Sequence, residues 1–353
     1  MKRFLSVIAI MAMTFSLAAC GNSSSSTSSG NSQSASTSAT GGGINEHTFN
    51  FFCIQAESTT YYQSAVKFAD MVKEASDGKI NIDVYANGSL SGGDQAAALE
   101  MIQKGSIDMG MITAAVCGNM INDLRVTLIP FIFKNGEEDV DKALLKGSDL
   151  YDLYESEFND YDMHMMGIAE HGFRQLTNNK KEVTKPEDLK GMKIRVLATP
   201  VLVDFFNAMG VNVTDISNTE IYTSLQNGTI DAQENPLVQS YLAGFTSVAP
   251  NVTIWDYCYD AHPFLMSNNL WESLTPDEQE LFTSVTDEWI PVQREMMRDA
   301  YDDVYNDAEA DGAKIVELDQ QQKEAFTAIA DETSKPYIQE LQSTYDMLIN
   351  DIK

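Results

Sequence analysis

The chain has 353 residues, 52 acidic against 23 basic, a net charge of −29 and 43 % hydrophobic residues. That apolar share supports a packed core, and the acidic balance argues against nucleic acid or an anionic membrane surface as a direct partner of the folded body. The length left after the N-terminal segments, about 310 residues, suits two lobes better than one core.

Lys2 and Arg3 precede a short apolar run over residues 4–17 that ends in Leu17-Ala18-Ala19-Cys20. This is the pattern of a lipoprotein leader: a positive start, an apolar stretch too short for a stable span, and small residues before a cysteine. Residues 1–19 are expected to be a signal peptide and Cys20 to be lipidated. Loss of Lys2 and Arg3 would take the charge from −29 to −31. Residues 20–43 are nearly all Ser, Gly, Thr, Asn and Ala, a composition that cannot bury apolar area and behaves as a tether. The other cysteines, Cys53, Cys117 and Cys258, are odd in number and widely spaced. They read as buried free thiols, with one disulfide plus a spare as the alternative.

Strand and helix then alternate. Residues 47–54 read as a buried strand, 61–75 as an amphipathic helix closed by Asp77-Gly78, and 79–85 as a strand. A helix over 95–104 and a strand over 107–112 follow. The rhythm returns with a strand at 192–197, helices at 201–209 and 220–226, and a short strand at 230–233. Such alternation predicts an α/β fold with parallel strands. Gln103-Lys104-Gly105-Ser106-Ile107-Asp108 is echoed by Gln226-Asn227-Gly228-Thr229-Ile230-Asp231, a hint of two similar lobes. From Thr275 the pattern is helical, with an N-cap, Pro276 and two acids in the first turn. Pro291 is expected to kink or split this helix. A last helix is predicted over 320–348.

Several stretches carry a resemblance. They are Leu189-Lys190-Gly191-Met192-Lys193-Ile194-Arg195-Val196 with Pro200, and the run from Glu220 through Tyr222 and Leu225-Gln226-Asn227-Gly228 to Gln233-Glu234-Asn235-Pro236. Gly172-Phe173-Arg174, Val84-Tyr85 with Asn87-Gly88, and Leu128-Ile129-Pro130-Phe131-Ile132-Phe133 add to them. This ordered set resembles the substrate-binding subunits of TRAP (tripartite ATP-independent periplasmic) transporters of the dicarboxylate and sugar-acid binding, DctP-like, family, from about residue 46 to the C-terminus. The resemblance implies a two-lobed periplasmic-binding-protein-like fold, each lobe a sheet flanked by helices, with a long helix crossing both. Lobe I is expected from 44–171 plus about 261–300, and lobe II from about 172–260 plus 301–353. It implies a small organic acid as ligand, TRAP membrane permease subunits as partners, a monomer, contact with the membrane only through the lipid anchor, and no cofactor or metal.

In that family the arginine matching Arg195 grips the ligand carboxylate, the one matching Arg174 lies in the same cleft, and the asparagine matching Asn235 supports the carboxylate. Arg195 also makes sense unaided: a guanidinium fork matches a carboxylate, and ligands gather beyond the carboxyl ends of strands in open α/β sheets. Read without the family, it is an arginine paired with one of many acids. Arg174 alone reads as a loop cation beside a His-Gly turn, and Asn235 as an N-cap before Pro236. Ala232 stands where the family usually has glycine. Glu57, at the lip of the first strand, suits hydroxyl recognition or an exposed loop. Glu170 and His171 belong where the chain first crosses between lobes, as ligand contacts or hinge side chains. Thr113 follows a strand and faces either ligand or core. Trp255, Tyr257 and Tyr259 form either core at the lobe junction or a sugar-stacking face, for which Tyr257 is the candidate. Sialate binders of the family carry an acid and an arginine around residues 113–116, where this chain has neither.

An enzyme finds no support in motif: four histidines, no nucleophile elbow, phosphate loop, dinucleotide fingerprint or HExxH. A receptor or adhesin lacks a reason for the Arg195–Asn235 run, and the binding protein of an ATP-driven importer would carry other motifs. Glu57 with two arginines favours a hexuronate such as glucuronate or galacturonate. A C4-dicarboxylate, its second carboxylate on Arg174, is the alternative.

Overall fold

The computed structural model describes residues 42–353; the expected leader, the lipidated Cys20 and all but the end of the tether lie outside the described residues. The strands are β1 (His47–Phe52), β2 (Ile80–Tyr85), β3 (Met109–Met111), β4 (Met163–Asn178), β5 (Lys193–Arg195), β6 (Asn212–Thr214), β7 (Ala232–Pro236), β8 (Asn251–Ser267) and β9 (Lys314–Glu317). They join in the order β2-β1-β3-β8-β4-β7-β5-β6, with β9 beside β8. Pairing is parallel within each flank, β2-β1-β3 and β7-β5-β6, as the alternation predicts. It is antiparallel through the centre, where β4 and β8 run alongside each other for their whole length.

Those two long strands are absent from the sequence reading, for a physical reason. Buried on both faces, they lack the polar–apolar alternation that marks a half-exposed strand. The expected His-Gly turn before Arg174 is instead strand interrupted by a bulge between Glu170 and Gly172. Gly172 takes φ +109° there, a conformation open to glycine. Phe51 and Phe52 point to opposite faces of β1 and enter different apolar clusters, as the two-residue period requires. Trp255, Tyr257 and Tyr259 share one face of β8 and are fully buried, Tyr257 stacked on Phe205 at 5.8 Å. The aromatic run is core.

Flanking helices include α1 (Thr60–Ala75), α2 (Gln95–Gln103), α3 (Pro200–Ala208), α4 (Pro276–Ala310), α5 (Gln320–Glu340) and α6 (Gln342–Asp351). Thr275 and Glu278 cap α4 reciprocally, as its start signal predicts. Pro291 does not split this helix. Anchors on both sides hold it: Trp289 Nε1 donates to the Ser64 carbonyl at 2.8 Å, and Gln293 bonds both backbone groups of Glu170 at 2.7 Å. The last predicted helix is two, α5 and α6, divided at Leu341. Cys53, Cys117 and Cys258 are buried free thiols, and burial pushes the Cys53 thiol up to about 12. Among the described residues, no helix is long and apolar enough to cross a membrane.

Candidate functional site

Parallel strands β1 and β5 both end at one cleft of about 540 Å³. One wall is Ile54, the turn Gly92-Gly93 and the start of α2, with Ala115, Val116 and Asn119. The other is Arg195, Leu197, Ala198 and the loop from Asp215 to Glu220. Strand ends offer unpaired backbone and loops free to carry polar groups, which is why the cleft forms here. The walls touch: Asn218 Nδ2 donates to Gln55 Oε1 at 3.2 Å. Gly93, at φ +85°, lies so near Thr219 that an added Cβ would meet its hydroxyl at 3.1 Å.

Arg195, the last residue of β5, is only 6 % exposed. Its Nε donates to the Ile216 carbonyl at 3.2 Å; among the described residues neither terminal nitrogen has a protein partner, and no carboxylate lies within ion-pair distance. Burial pushes this guanidinium below its ordinary value; Glu234 opposes the shift and Arg174 adds to it. The stem is buried while the fork faces the cleft, where water meets it until an anion displaces that water. The other charged side chains of the cleft are Asp94, Asp215 and Glu220. Glu220 caps its own turn through Ser217. Asp94 uses one oxygen, Oδ1, to cap Ala96 and Ala97 at the start of α2, so the positive end of that helix is already answered by a carboxylate.

Arg174 is as buried as Arg195 and differently placed. Its Nη1 donates to Asp260 Oδ2 at 2.5 Å, its Nε to the Glu234 carboxylate, and its Nη2 to Asn235 Oδ1 at 3.2 Å and to Glu234. Burial alone would lower it, yet the Glu234 and Asp260 carboxylates hold it above the usual arginine range. Asn235 is likewise spent, its amide donating to Gln233 Oε1 at 2.5 Å. Tyr257 donates to Glu234 Oε2 at 2.6 Å, and Thr113 to Asp260 Oδ1 at 2.7 Å. His171 Nδ1 lies 2.8 Å from Asp260 Oδ2, and burial drives this imidazole down to about 4.

The structure thus brings Arg174, Asn235, Tyr257, Thr113 and His171 together around Glu234 and Asp260, in a buried network that lines no part of the Arg195 cleft. Glu57 is exposed and also outside the cleft, and Glu170 bonds Arg298. Of the expected contacts only Arg195 lines it. Asp94, Gln95, Asn119, Asp215 and Asn218 were not singled out, although each lies in or beside a loop that follows a strand toward the same end of the sheet. The ligating atoms of His171, Asp260 and His262 lie within 4.8 Å of one another. A cation there would meet the Arg174 guanidinium and a His262 ring already bonded to Tyr61 at 2.5 Å, so the cluster is an ion network by chemistry.

The profile of bacterial extracellular solute-binding protein family 7 matches residues 52–341. The C4-dicarboxylate-binding protein DctB of Bacillus subtilis (strain 168) is 29 % identical over 252 residues, 70 % of this chain and 71 % of that one. The chain spans 63 % and 71 % of the length of the first two curated relatives it matches. Among solved structures, the sugar acid binding protein DctPAm of Advenella mimigardefordensis strain DPN7T, in complex with galactonate, superposes with a TM-score of 0.83 at 24 % identity, covering 88 % of this chain and 98 % of that one. A TRAP periplasmic solute binding protein of Citrobacter koseri with bound D-glucuronate does so with a TM-score of 0.79 at 25 % identity, covering 86 % and 99 %. Profile and fold agree over most of the chain, which therefore belongs to the DctP family of TRAP solute-binding proteins.

Proposed function

We propose that the cleft captures a singly charged sugar acid, a hexuronate such as glucuronate or galacturonate, and presents it to the membrane permease of a TRAP transporter. The observation that carries this reading is the unmatched fork of Arg195 in a cleft with no second basic side chain and three acids. One carboxylate satisfies the fork through two charge-assisted hydrogen bonds. A hydroxylated tail then offers donors to the free oxygens of Asp94 and Asp215 and to the amides of Asn119 and Asn218. The second carboxylate of a C4-dicarboxylate would face those acids instead, because Arg174 is committed to Glu234 and Asp260. The glucuronate held by the Citrobacter koseri protein is in line with this. The name of the Bacillus subtilis relative keeps a C4-dicarboxylate as the competing reading.

Capture works by closure of two lobes, 44–171 plus about 261–300 and about 172–260 plus 301–353, over the bound acid. Excluding water strengthens each ionic bond. The ligand favours the closed arrangement only by its extra affinity for it, and Asn218 on Gln55 is one contact available to that arrangement. In this reading Cys20 carries a lipid that keeps the body outside the cytoplasm beside its permease.

Calorimetric titration with D-glucuronate, D-galacturonate, succinate and L-malate tests the reading. The uronates are expected to bind, and Arg195→Ala to weaken them by about 30-fold or more, the cost of removing one partner of a buried charge pair. Tighter binding of either diacid, or uronate binding indifferent to Arg195→Ala, would overturn it.

A further inference from the structure

The cleft is not the largest cavity. A groove of about 570 Å³ lies where the bulged part of β4, the start of β8, the middle of α4 and the first turns of α5 meet, and it shares no lining residue with the cleft. Its walls are aromatic: Phe131, Phe133, Phe173, Trp255 and Tyr301, with the thioether of Met297 among them. Ion pairs lie within it, while the exposed Lys134 and Glu324 of its lining form none among the described residues. Arg298 Nη2 lies 2.8 Å from Glu170 Oε2, and Lys323 Nζ lies 2.9 Å from Asp256 Oδ2. Phe131, whose N–H donates to the Tyr257 carbonyl, and Asp256 hold φ of +60° and +52°. Non-glycine residues resist that conformation, and such strain collects where a protein binds something.

We propose that this groove is a second small-molecule site, which takes an uncharged aromatic or heteroaromatic molecule of bicyclic size and is coupled to the cleft. The volume falls within the roughly 300–1,000 Å³ of small-ligand pockets. A charged guest would compete with the Arg298–Glu170 and Lys323–Asp256 pairs or stay with the exposed Lys134 and Glu324, whereas a neutral ring finds edge and face contacts and a polarizable sulfur. The route to the cleft is short. His171 lines the groove; with its Nδ1 proton on Asp260, its Nε2 accepts from Gln55 Nε2 at 3.4 Å. Gln55 Oε1 in turn accepts from Asn218, a cleft residue. A guest wedged against residues 170–173 favours whichever arrangement of the β4 bulge keeps the groove open. Groove and cleft then alter each other's affinity by the same factor.

Quinoline and 2-naphthol serve as probes, titrated into protein carrying ¹³C-methyl methionine with no acid present, so the outcome is independent of the Arg195 reading. A saturable shift of the Met297 methyl is expected. Thr327→Trp, which fills the groove from α5, is expected to weaken it about tenfold or more while Arg195-dependent acid binding persists. A saturating probe is expected to change the affinity of the acid by about fivefold or more. No saturable shift, or equal binding by Thr327→Trp, overturns the site; an unchanged acid affinity overturns the coupling. Should Thr327→Trp fail to fold, the wild-type spectrum decides alone: shifts centred on Met297 support the groove, and shifts spread evenly over the methionines overturn it.

Discussion

Arg174 and Arg195 are both buried, and their surroundings are opposite. Around Arg174 two carboxylates, an amide and a carbonyl take up the guanidinium donors, with Tyr257, Thr113 and His171 bonded to the same acids. Around Arg195 one carbonyl takes Nε and the fork is left over. A completed ion network holds the crossing strands β4 and β8 to β7; at Arg195 the fork is left open to the cleft, where we propose that a ligand completes it. Burial and residue type do not separate the two arginines, and the count of committed donors does. The largest expected effect breaks the network. Arg174→Met leaves Glu234 and Asp260 buried without their cation and is expected to lower unfolding stability by about 3–5 kcal/mol. Urea denaturation measures it, and a loss under about 1 kcal/mol would place Arg174 outside the structural role.

Acid sharpens the same contrast. His171 faces Asp260, His262, Arg174, Gln55 and the ring of Tyr61, and burial depresses its pKa to about 4. The unfolded chain then binds the extra proton first, so this contribution is complete above about pH 6.5 and is lost as pH falls toward 4. One such group contributes at most about 3 kcal/mol. His164, also depressed to about 4 by burial, acts in the same window. His171→Gln is therefore expected to remove only part of the slope of stability against pH between 6.5 and 4. Asp260 is held well below the usual carboxylate range by His262 and Arg174 against the effect of burial, so its contribution disappears only in stronger acid. A slope unchanged in His171→Gln would show that this imidazole is not held neutral. Arg195→Met is expected to act the other way from Arg174→Met: acid binding is lost, while the ligand-free protein keeps its stability or gains about 1 kcal/mol from shedding a partly desolvated charge. A thermal melt without ligand checks it, and a destabilisation like that of Arg174→Met would erase the distinction between the two sites.

What the sequence made legible follows the same division. The flanking strands and helices announce themselves through period and caps, as in Thr275 and Glu278 at the start of α4. Strands β4 and β8 do not, because burial on both faces removes the alternation, and a glycine bulge imitates a turn. The place of Arg195 in the cleft was readable from its position at a strand end together with the family motif, and its grip on an anion is the proposal that rests on it. The commitment of Arg174 was not, since Glu234 and Asp260 come from two other strands and only their register opposite β4 brings them to it. Glu57 drew notice as the acid next to the first strand. Of the three acids that line the cleft, Asp94 and Asp215 stand in loops that approach each other where Gly93 passes close to Thr219.

The smallest expected effect lies where the two walls of the cleft meet. Asn218 and Gln55 share one neutral hydrogen bond, worth about 0.5–1.5 kcal/mol net. If that bond belongs to the closed arrangement, Asn218→Ala lowers the closed population with the Arg195 fork untouched, and apparent affinity falls about two- to tenfold. The loss is expected in the dissociation rate, because closure retains a ligand that has already found the arginine. Gln55→Ala also loses its contact to His171 and is expected to cost at least as much, and the double variant no more than Gln55→Ala alone, since the Asn218 bond is already gone. Additive losses in that cycle would mean that the two side chains act separately. An unchanged affinity in Asn218→Ala would mean that the bond forms equally in open and closed protein.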